Sequence, residues 1–261
     1  MMAIDFHDEK NKMTYASRKA NASWSEDLEA LLPPGKHFTR AADIGCGGGI
    51  YSKALIDAGV ESVVGVDFSK AMLEGAKVNC EDYDTISFQL GSAFETSLAD
   101  AKFDLVLARA LIHHLGDLQL FFTEAHRILE KDGYFIVQDR TPEDVLLPGS
   151  QEHIRGYFFE KFIKLKTTET QRRHRGEEVR KVLEETGFTL VKEVPFWEVR
   201  GTYPSKNRLK EELRHRIGRS ILYELDDFEL EELIDYIDSK VTEERNIVEK
   251  DRWTMWIAQK K

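Results

Sequence analysis

The stretch from Ala41 to Gly49, read Ala-Ala-Asp-Ile-Gly-Cys-Gly-Gly-Gly, constrains the fold of this chain more than any other. Small and apolar residues run through Asp43 to Ile44, glycines follow at 45, 47 and 49, and Ile50, Tyr51, Ala54, Leu55 and Ala58 then recur at helical spacing. This is the pattern of a strand that ends in a glycine loop and opens a helix. A glycine turn lets the backbone take positive φ and lets a ligand come within contact distance of the main chain. After Gly59, the segment Ser62 to Val66 reads as a buried strand ending at Asp67, 18 residues beyond Gly49. That spacing puts a carboxylate opposite a ribose diol, so a nucleotide-like ligand is expected on the turn.

The glycine spacing narrows the ligand. A dinucleotide fingerprint, Gly-x-Gly-x-x-Gly, would place its last glycine at position 50, which is Ile50. The pattern present is Gly45-x-Gly47-x-Gly49, preceded by Asp43 and followed by Gly65-Val66-Asp67. It resembles the S-adenosylmethionine loop of class I methyltransferases. The resemblance implies a Rossmann-like, doubly wound α/β fold: a mostly parallel seven-stranded sheet with an antiparallel last strand, here with helical cap insertions. It implies S-adenosyl-L-methionine as cofactor, held by Asp43, Gly45, Cys46, Gly47, Gly49 and Asp67. A nicotinamide dehydrogenase is a weaker competitor because of Ile50.

The following segments extend the match. Ser69 is a candidate N-cap for a helix carrying Met72, Leu73 and Ala76. Phe68 and Met72 are candidates to pack on adenine, or ordinary core residues. Ile86 to Leu90 alternates as a strand and ends at Gly91-Ser92-Ala93. In the resembled family this strand usually ends in Gly-Asp-Ala, so Ser92, with Ala93, stands where an acid would accept from the adenine amino group; a serine oxygen accepts a weaker hydrogen bond. Phe103 to Arg109 is a fourth strand, and the resemblance extends the cofactor site to Ala108 and Arg109. His113 and His114 follow, the candidates for a general base at a strand's carboxyl end, or residues that cap and pack against the next helix. That helix, capped by Asp117, presents Leu118, Phe121, Phe122, Ala125, Ile128 and Leu129 on one face, and Tyr134 to Val137 is a fifth strand. The resemblance with specific motifs covers about residues 38 to 140.

The flanks are less patterned. Residues 12 to 32 carry a broken helical stripe that Pro33-Pro34-Gly35 ends. In the resembled family such a segment often folds over the cofactor, which singles out Tyr15 and Arg18, although a plain surface helix fits as well. Beyond Arg140 the spacing predicts a helix over 150–166, a second with Val179, Val182 and Leu183 inward, a strand from Phe188 to Val199 broken by Pro195, mostly helical sequence over 204–250, and a last strand from Arg252 to Gln259. The domain organisation expected is therefore a single methyltransferase domain over 1–261, with an N-terminal helical cap (1–35), a cofactor-binding core (38–140) and helical insertions (141–170 and 203–250) over the site.

Composition bounds the partners. With 37 basic and 47 acidic side chains the formal net charge is −10, which argues against a protein built to grip nucleic acid. Arg172-Arg173-His174-Arg175 is accordingly read as a solvated face, as is the acidic run Glu224 to Glu232. The two cysteines, Cys46 and Cys80, give neither a disulfide framework nor metal-ligand spacing, so no metal is expected. The polar start, Met1 to Asn11, and the absence of any run of about 18 apolar residues predict a cytoplasmic protein with no membrane association. The expected activity is methyl transfer to a small-molecule acceptor by a monomer or homodimer. RNA- or protein-directed methylation, and cofactor binding without transfer, are the alternatives.

Overall fold

A computed structural model describes residue 20 and residues 22–261. In chain order the elements are α1 (Ala22–Leu31), β1 (Arg40–Ile44), α2 (Ile50–Asp57), β2 (Ser62–Asp67), α3 (Lys70–Asn79), β3 (Ile86–Leu90), β4 (Phe103–Arg109), α4 (Leu118–Ile128), β5 (Leu129–Asp139), α5 (Pro142–Val145), α6 (Ile154–Lys161), α7 (Ile163–Gln171), α8 (Gly176–Glu185), β6 (Phe188–Tyr203), α9 (Lys206–Arg214), α10 (Asp227–Lys240) and β7 (Ile247–Lys260). Short 3-10 turns occupy Ile112–His114 and Ser220–Glu224. Among the described residues no helix is long and apolar enough to cross a membrane.

The seven strands form one sheet in the order β3-β2-β1-β4-β5-β7-β6, with β7 antiparallel to β5, as the resemblance predicted. The first five strands are parallel, and β1 lies between β2 and β4, so the order reverses at its carboxyl end. That reversal is the crevice where open α/β sheets hold ligands. Register does the aligning: Ile44 pairs Val66, Asp67 pairs Leu90, and Arg109 pairs Gln138. The residues that end β1 to β5 therefore share one edge.

By contact the described residues divide into two compact units. The first comprises residues up to 139 with 174–195 and 254–261. Its strands β1 and β4 are buried on both faces, hence their near-continuous apolar sequence. Helix α4 is started by the Asp117 carboxylate, which accepts from the Leu120 amide, and it packs Phe121, Phe122 and Ile128 onto Phe135, Phe188 and Trp256. Burying each such side chain contributes roughly 1.5–3 kcal/mol.

The second unit comprises Arg140–Arg173 and Phe196–Trp253. It has its own apolar core, in which Phe158, Leu165, Leu209, Leu222, Leu233 and Ile237 are buried together. Capping boxes start both α5 (Thr141 with Asp144) and α10 (Asp226 with Glu229). The helix expected over 150–166 is two helices, because Phe162 takes an extended conformation (φ −125°, ψ 100°) that ends α6 and opens α7.

Two further expectations are corrected. Pro195 does not break its strand: β6 runs unbroken from Phe188 to Tyr203. It is the outermost strand beside β7, and an edge strand tolerates a residue without an N–H. The last strand also begins earlier than expected, at Ile247.

Candidate active site

The glycine loop is tied down by main-chain bonds to the neighbouring strand. The amides of Gly45 and Cys46 both donate to the Val66 carbonyl (2.8 and 3.1 Å), and Gly49 N donates to Cys46 O (2.9 Å). Asp67, at the end of β2, accepts from Gly47 N on one carboxylate oxygen and from Ser69 N on the other, each at 2.9 Å. It thus couples the loop to the start of α3, whose first turn Ser69 caps through Met72 N (3.3 Å).

The glycines do different work. A Cβ on Gly49 would meet Cys80 Sγ at 2.7 Å and Phe88 at 3.1 Å, so packing excludes one. A Cβ on Gly47 would meet only Met72 Cε, at 3.4 Å. Both have positive φ (+74° and +51°), but at Gly47 the place a side chain would take is bounded only by the end of a flexible methionine, in ordinary contact.

Asp43 is buried at the end of β1, where Ser52 Oγ donates to it at 2.7 Å. Burial, reinforced by the charge of Asp67, raises its carboxyl to about 6 against the opposing pull of Ser52 and Arg109. Cys46 and Cys80 are buried free thiols, both pushed up by burial, Cys80 to about 11, which fits packing residues and not nucleophiles.

The remaining candidates divide by exposure. Phe68 is 55% exposed beside the loop, whereas Met72 is buried. Ser92 is exposed at the end of β3 and its hydroxyl accepts from Phe94 N (3.2 Å); Ala93 is partly buried. Ala108 is fully buried within β4. Arg109 lies 3.9 Å from the ring centroid of Tyr51, a cation–π stack. Tyr51 meets Trp24 edge-on at 5.0 Å, and Trp24 Nε1 donates to Gln138 Oε1 (2.8 Å). This chain of Arg109, Tyr51, Trp24 and Gln138 escaped sequence reasoning; the available signal was Tyr51 in the first turn after the loop. Tyr15 and Arg18 lie outside the described residues.

The two histidines separate. Nδ1 of His113 meets the Asp139 carboxylate at 2.8 and 3.1 Å, and its amide donates to the same group at 3.3 Å. Asp139 is buried, so an Nδ1–H donating to it leaves Nε2 as the basic nitrogen. His114 is exposed, its ring centroid 4.0 Å from that of His113. His174 Nε2 reaches the carbonyls of Ile112 (3.0 Å) and Leu115 (3.1 Å), clamping the turn that carries His113, while its Nδ1 faces Glu178 at 3.1 Å.

The basic run around His174 is therefore not a solvated face. His174 is engaged in that clamp, and Arg172 and Arg173 are drawn onto the buried carboxylate of Glu169. The acidic run from Glu224 keeps Glu231 and Glu232 at the surface but buries Leu225 and Leu230.

A cavity of about 510 Å³ lined by Leu28, Leu32, Pro34, Phe38, Val60 and Leu105 lies at the amino ends of β1, β2 and β4, the edge opposite the glycine loop. It is on the wrong side of the sheet for the chemistry above. Among the described residues no His, Cys, Asp and Glu cluster could hold a metal ion.

Comparison with known proteins agrees with this geometry. A family model described as a methyltransferase domain matches residues 42–137. The chain is 30% identical over 150 residues to the uncharacterized methyltransferase YcgJ of Bacillus subtilis, covering 56% of this chain and 58% of that protein. It is 30% identical over 126 residues to a ubiquinone biosynthesis O-methyltransferase of Cereibacter sphaeroides, covering 48% and 50%. The matches thus span little more than half the length of these curated relatives. Among solved structures it resembles phosphoethanolamine N-methyltransferase 2 of Haemonchus contortus, in complex with phosphomonomethylethanolamine and S-adenosylhomocysteine, with a TM-score of 0.59 at 19% identity over 98% of this chain and 60% of that one. A likeness at that identity speaks for the fold.

Proposed function

We propose, on the premise that this chain is built on a class I, S-adenosylmethionine-dependent methyltransferase domain, that it transfers a methyl group from S-adenosyl-L-methionine to a small-molecule acceptor. The observation that carries the reading is the Gly47 loop at the carboxyl edge of β1, only partly buried and held from β2 by the Asp67 carboxylate. The cofactor supplies an electrophilic methyl on a sulfonium.

Each protein group has a task in this reading. Asp67 accepts from the ribose hydroxyls while keeping its bonds to Gly47 and Ser69. Phe68 and Met72 pack on adenine, with Ser92 and Ala93 beyond them. Asp43, Ala108 and Arg109 close the floor of the site. Displacement at the methyl is in-line, so holding acceptor and methyl in near-attack geometry supplies most of the acceleration. His113, oriented through Nδ1 by Asp139, takes the acceptor's proton on Nε2. His114, exposed beside it, is the second candidate for that task.

The small-molecule reading is supported by the net charge of −10 and by the names of similar proteins, a ubiquinone biosynthesis O-methyltransferase and a phosphoethanolamine N-methyltransferase. Calorimetry with S-adenosylhomocysteine and with NAD tests the cofactor, and transfer of labelled methyl into the low-molecular-weight fraction of a cell extract tests the acceptor. Binding of S-adenosylhomocysteine but not NAD, with label in that fraction, is expected. Tight NAD binding, or label found only in protein or RNA, overturns the corresponding half.

A further inference from the structure

The turn that carries His113 depends on its surroundings to keep its shape. It is a short 3-10 turn, Ile112–His114, entered from β4 through Ala110, which takes a left-handed conformation (φ +52°) that a side chain disfavours. Such a residue persists where neighbouring structure over-determines it. The turn's own backbone bonds run from His114 N to Leu111 O (2.9 Å) and from Leu115 N to Ile112 O (3.0 Å). Its ties to other elements are made by two side chains.

Asp139, at the end of β5, takes the amide of His113 (3.3 Å) and its Nδ1 (2.8 Å). Both bonds fall on one residue, so by themselves they leave a pivot about which the turn can swing. His174 supplies the second point. Its Nε2 meets the carbonyls on either side of His113, Ile112 O at 3.0 Å and Leu115 O at 3.1 Å. A carbonyl only accepts, so Nε2 carries a proton and shares it between the two. The Glu178 carboxylate, one turn on in α8, lies 3.1 Å from Nδ1 and accepts from it when the ring is doubly protonated. The mount is firm: α8 seats Val179 and Leu183, both fully buried, in the same apolar core as Ile112. A base acts only within hydrogen-bond reach of the proton it takes, so about 1 Å of swing at His113 is costly.

We propose that His174 is a positioning residue for His113: its bond to the carbonyls of Ile112 and Leu115 stops the turn from swinging about Asp139, and so keeps Nδ1 of His113 on that carboxylate and Nε2 presented to the acceptor. The proposal rests on the reading of His113 as the general base. Magnetic resonance of the full chain with isotope-labelled histidine reads which ring nitrogen holds the proton. In wild type the proton is expected on Nδ1 of His113 and on Nε2 of His174. In His174→Ala the His113 ring should exchange between its two tautomers, and in His174→Gln, whose amide still donates to the carbonyls, it should return to the Nδ1–H form. The rate of labelled methyl transfer into the low-molecular-weight fraction of a cell extract, at saturating S-adenosyl-L-methionine, should fall roughly 10- to 100-fold in the alanine variant and largely recover in the glutamine variant. S-adenosylhomocysteine affinity should be unchanged in both. A merely structural histidine would lower the melting temperature of the alanine variant and leave the His113 tautomer alone, so a folded His174→Ala protein with His113 still in the Nδ1–H form overturns the proposal. A wild-type His174 with no proton on Nε2 overturns it too, and that measurement decides if the variants do not fold. Loss of the His113 tautomer in His174→Ala, in a protein that transfers no methyl group, supports the clamp and removes the methyl-transfer reading.

Discussion

Asp43 carries a standing cost at the end of β1. Its carboxyl, raised by burial from 3.8 to about 6, is more basic folded than unfolded, so the folded state loses stability as pH climbs through that window and has lost all of it above. The gap corresponds to roughly 3 kcal/mol at neutral pH. Asparagine keeps an acceptor for Ser52 and removes the charge, so Asp43→Asn should be more stable than wild type by about 2–3 kcal/mol at pH 7.5 and by almost nothing at pH 3.5, read by chemical denaturation. Equal stability of the two proteins at both pH values would show that the ionised carboxylate is not strained. S-adenosylhomocysteine affinity should fall in the same variant, the usual exchange of stability for a charged site. The glycines give a second, opposed pair. Gly49→Ala drives a Cβ into Cys80 Sγ and should cost ~2 kcal/mol or more of stability, whereas Gly47→Val leaves a strained but folded loop, at about 1–2 kcal/mol, and abolishes cofactor binding. A folded Gly47→Val protein with wild-type affinity would make the loop purely structural.

At the scale of elements, the 3-10 turn Ile112–His114 is held from two sides, by Asp139 at the end of β5 and by His174 just before α8. Without the clamp the turn keeps its bond to Asp139 but loses its anchor on the far side. His174→Ala should therefore lower kcat by roughly 10- to 100-fold while leaving cofactor affinity and the Km for acceptor nearly intact, since a misplacement of about 1 Å costs that much. An unchanged kcat would show that Asp139 alone positions His113. The same elements show what a linear sequence can carry. The β1–loop–α2 unit, β2 with Asp67, and the Asp117 and Ser69 caps were legible because each is a local pattern of spacing and turn chemistry. Asp139 as partner of His113 was not: the two lie 26 residues apart and meet only through the β4–β5 register. Pro195 reads as a breaker until the strand order puts β6 at an edge. Arg172 and Arg173 read as a surface run, although Glu169 three and four residues earlier was the available sign that they had a partner.

At the scale of the molecule, the two units answer pH with opposite sign. In the second, Glu169 and Asp251 have carboxyls held below their unfolded values, so each contributes stability that is complete above about pH 4–5 and is lost as pH falls toward the folded values. In the first, Asp43 gains from protonation as pH falls from about 6 to about 4 and changes little below that. Glu124 in the first unit is also lowered, its burial outweighed by Arg127 and Thr96, but Arg127 is 35% exposed and solvent screens that pair. Acid should therefore open the second unit first. Hydrogen exchange between pH 7 and pH 3, corrected for the intrinsic rate, should show amides of α6, α7 and α10 losing protection while those of β1, β4 and β5 retain it. If the sheet amides open at the same pH as the helices, the buried carboxylates are not what sets the acid limit. If the sheet opens first, the ion pairs of Glu169 and Asp251 stabilise their unit less than its neutral contacts do, because the arginines left behind when Glu169 and Asp251 are protonated would repel one another and force α6 and α7 apart before the sheet yields.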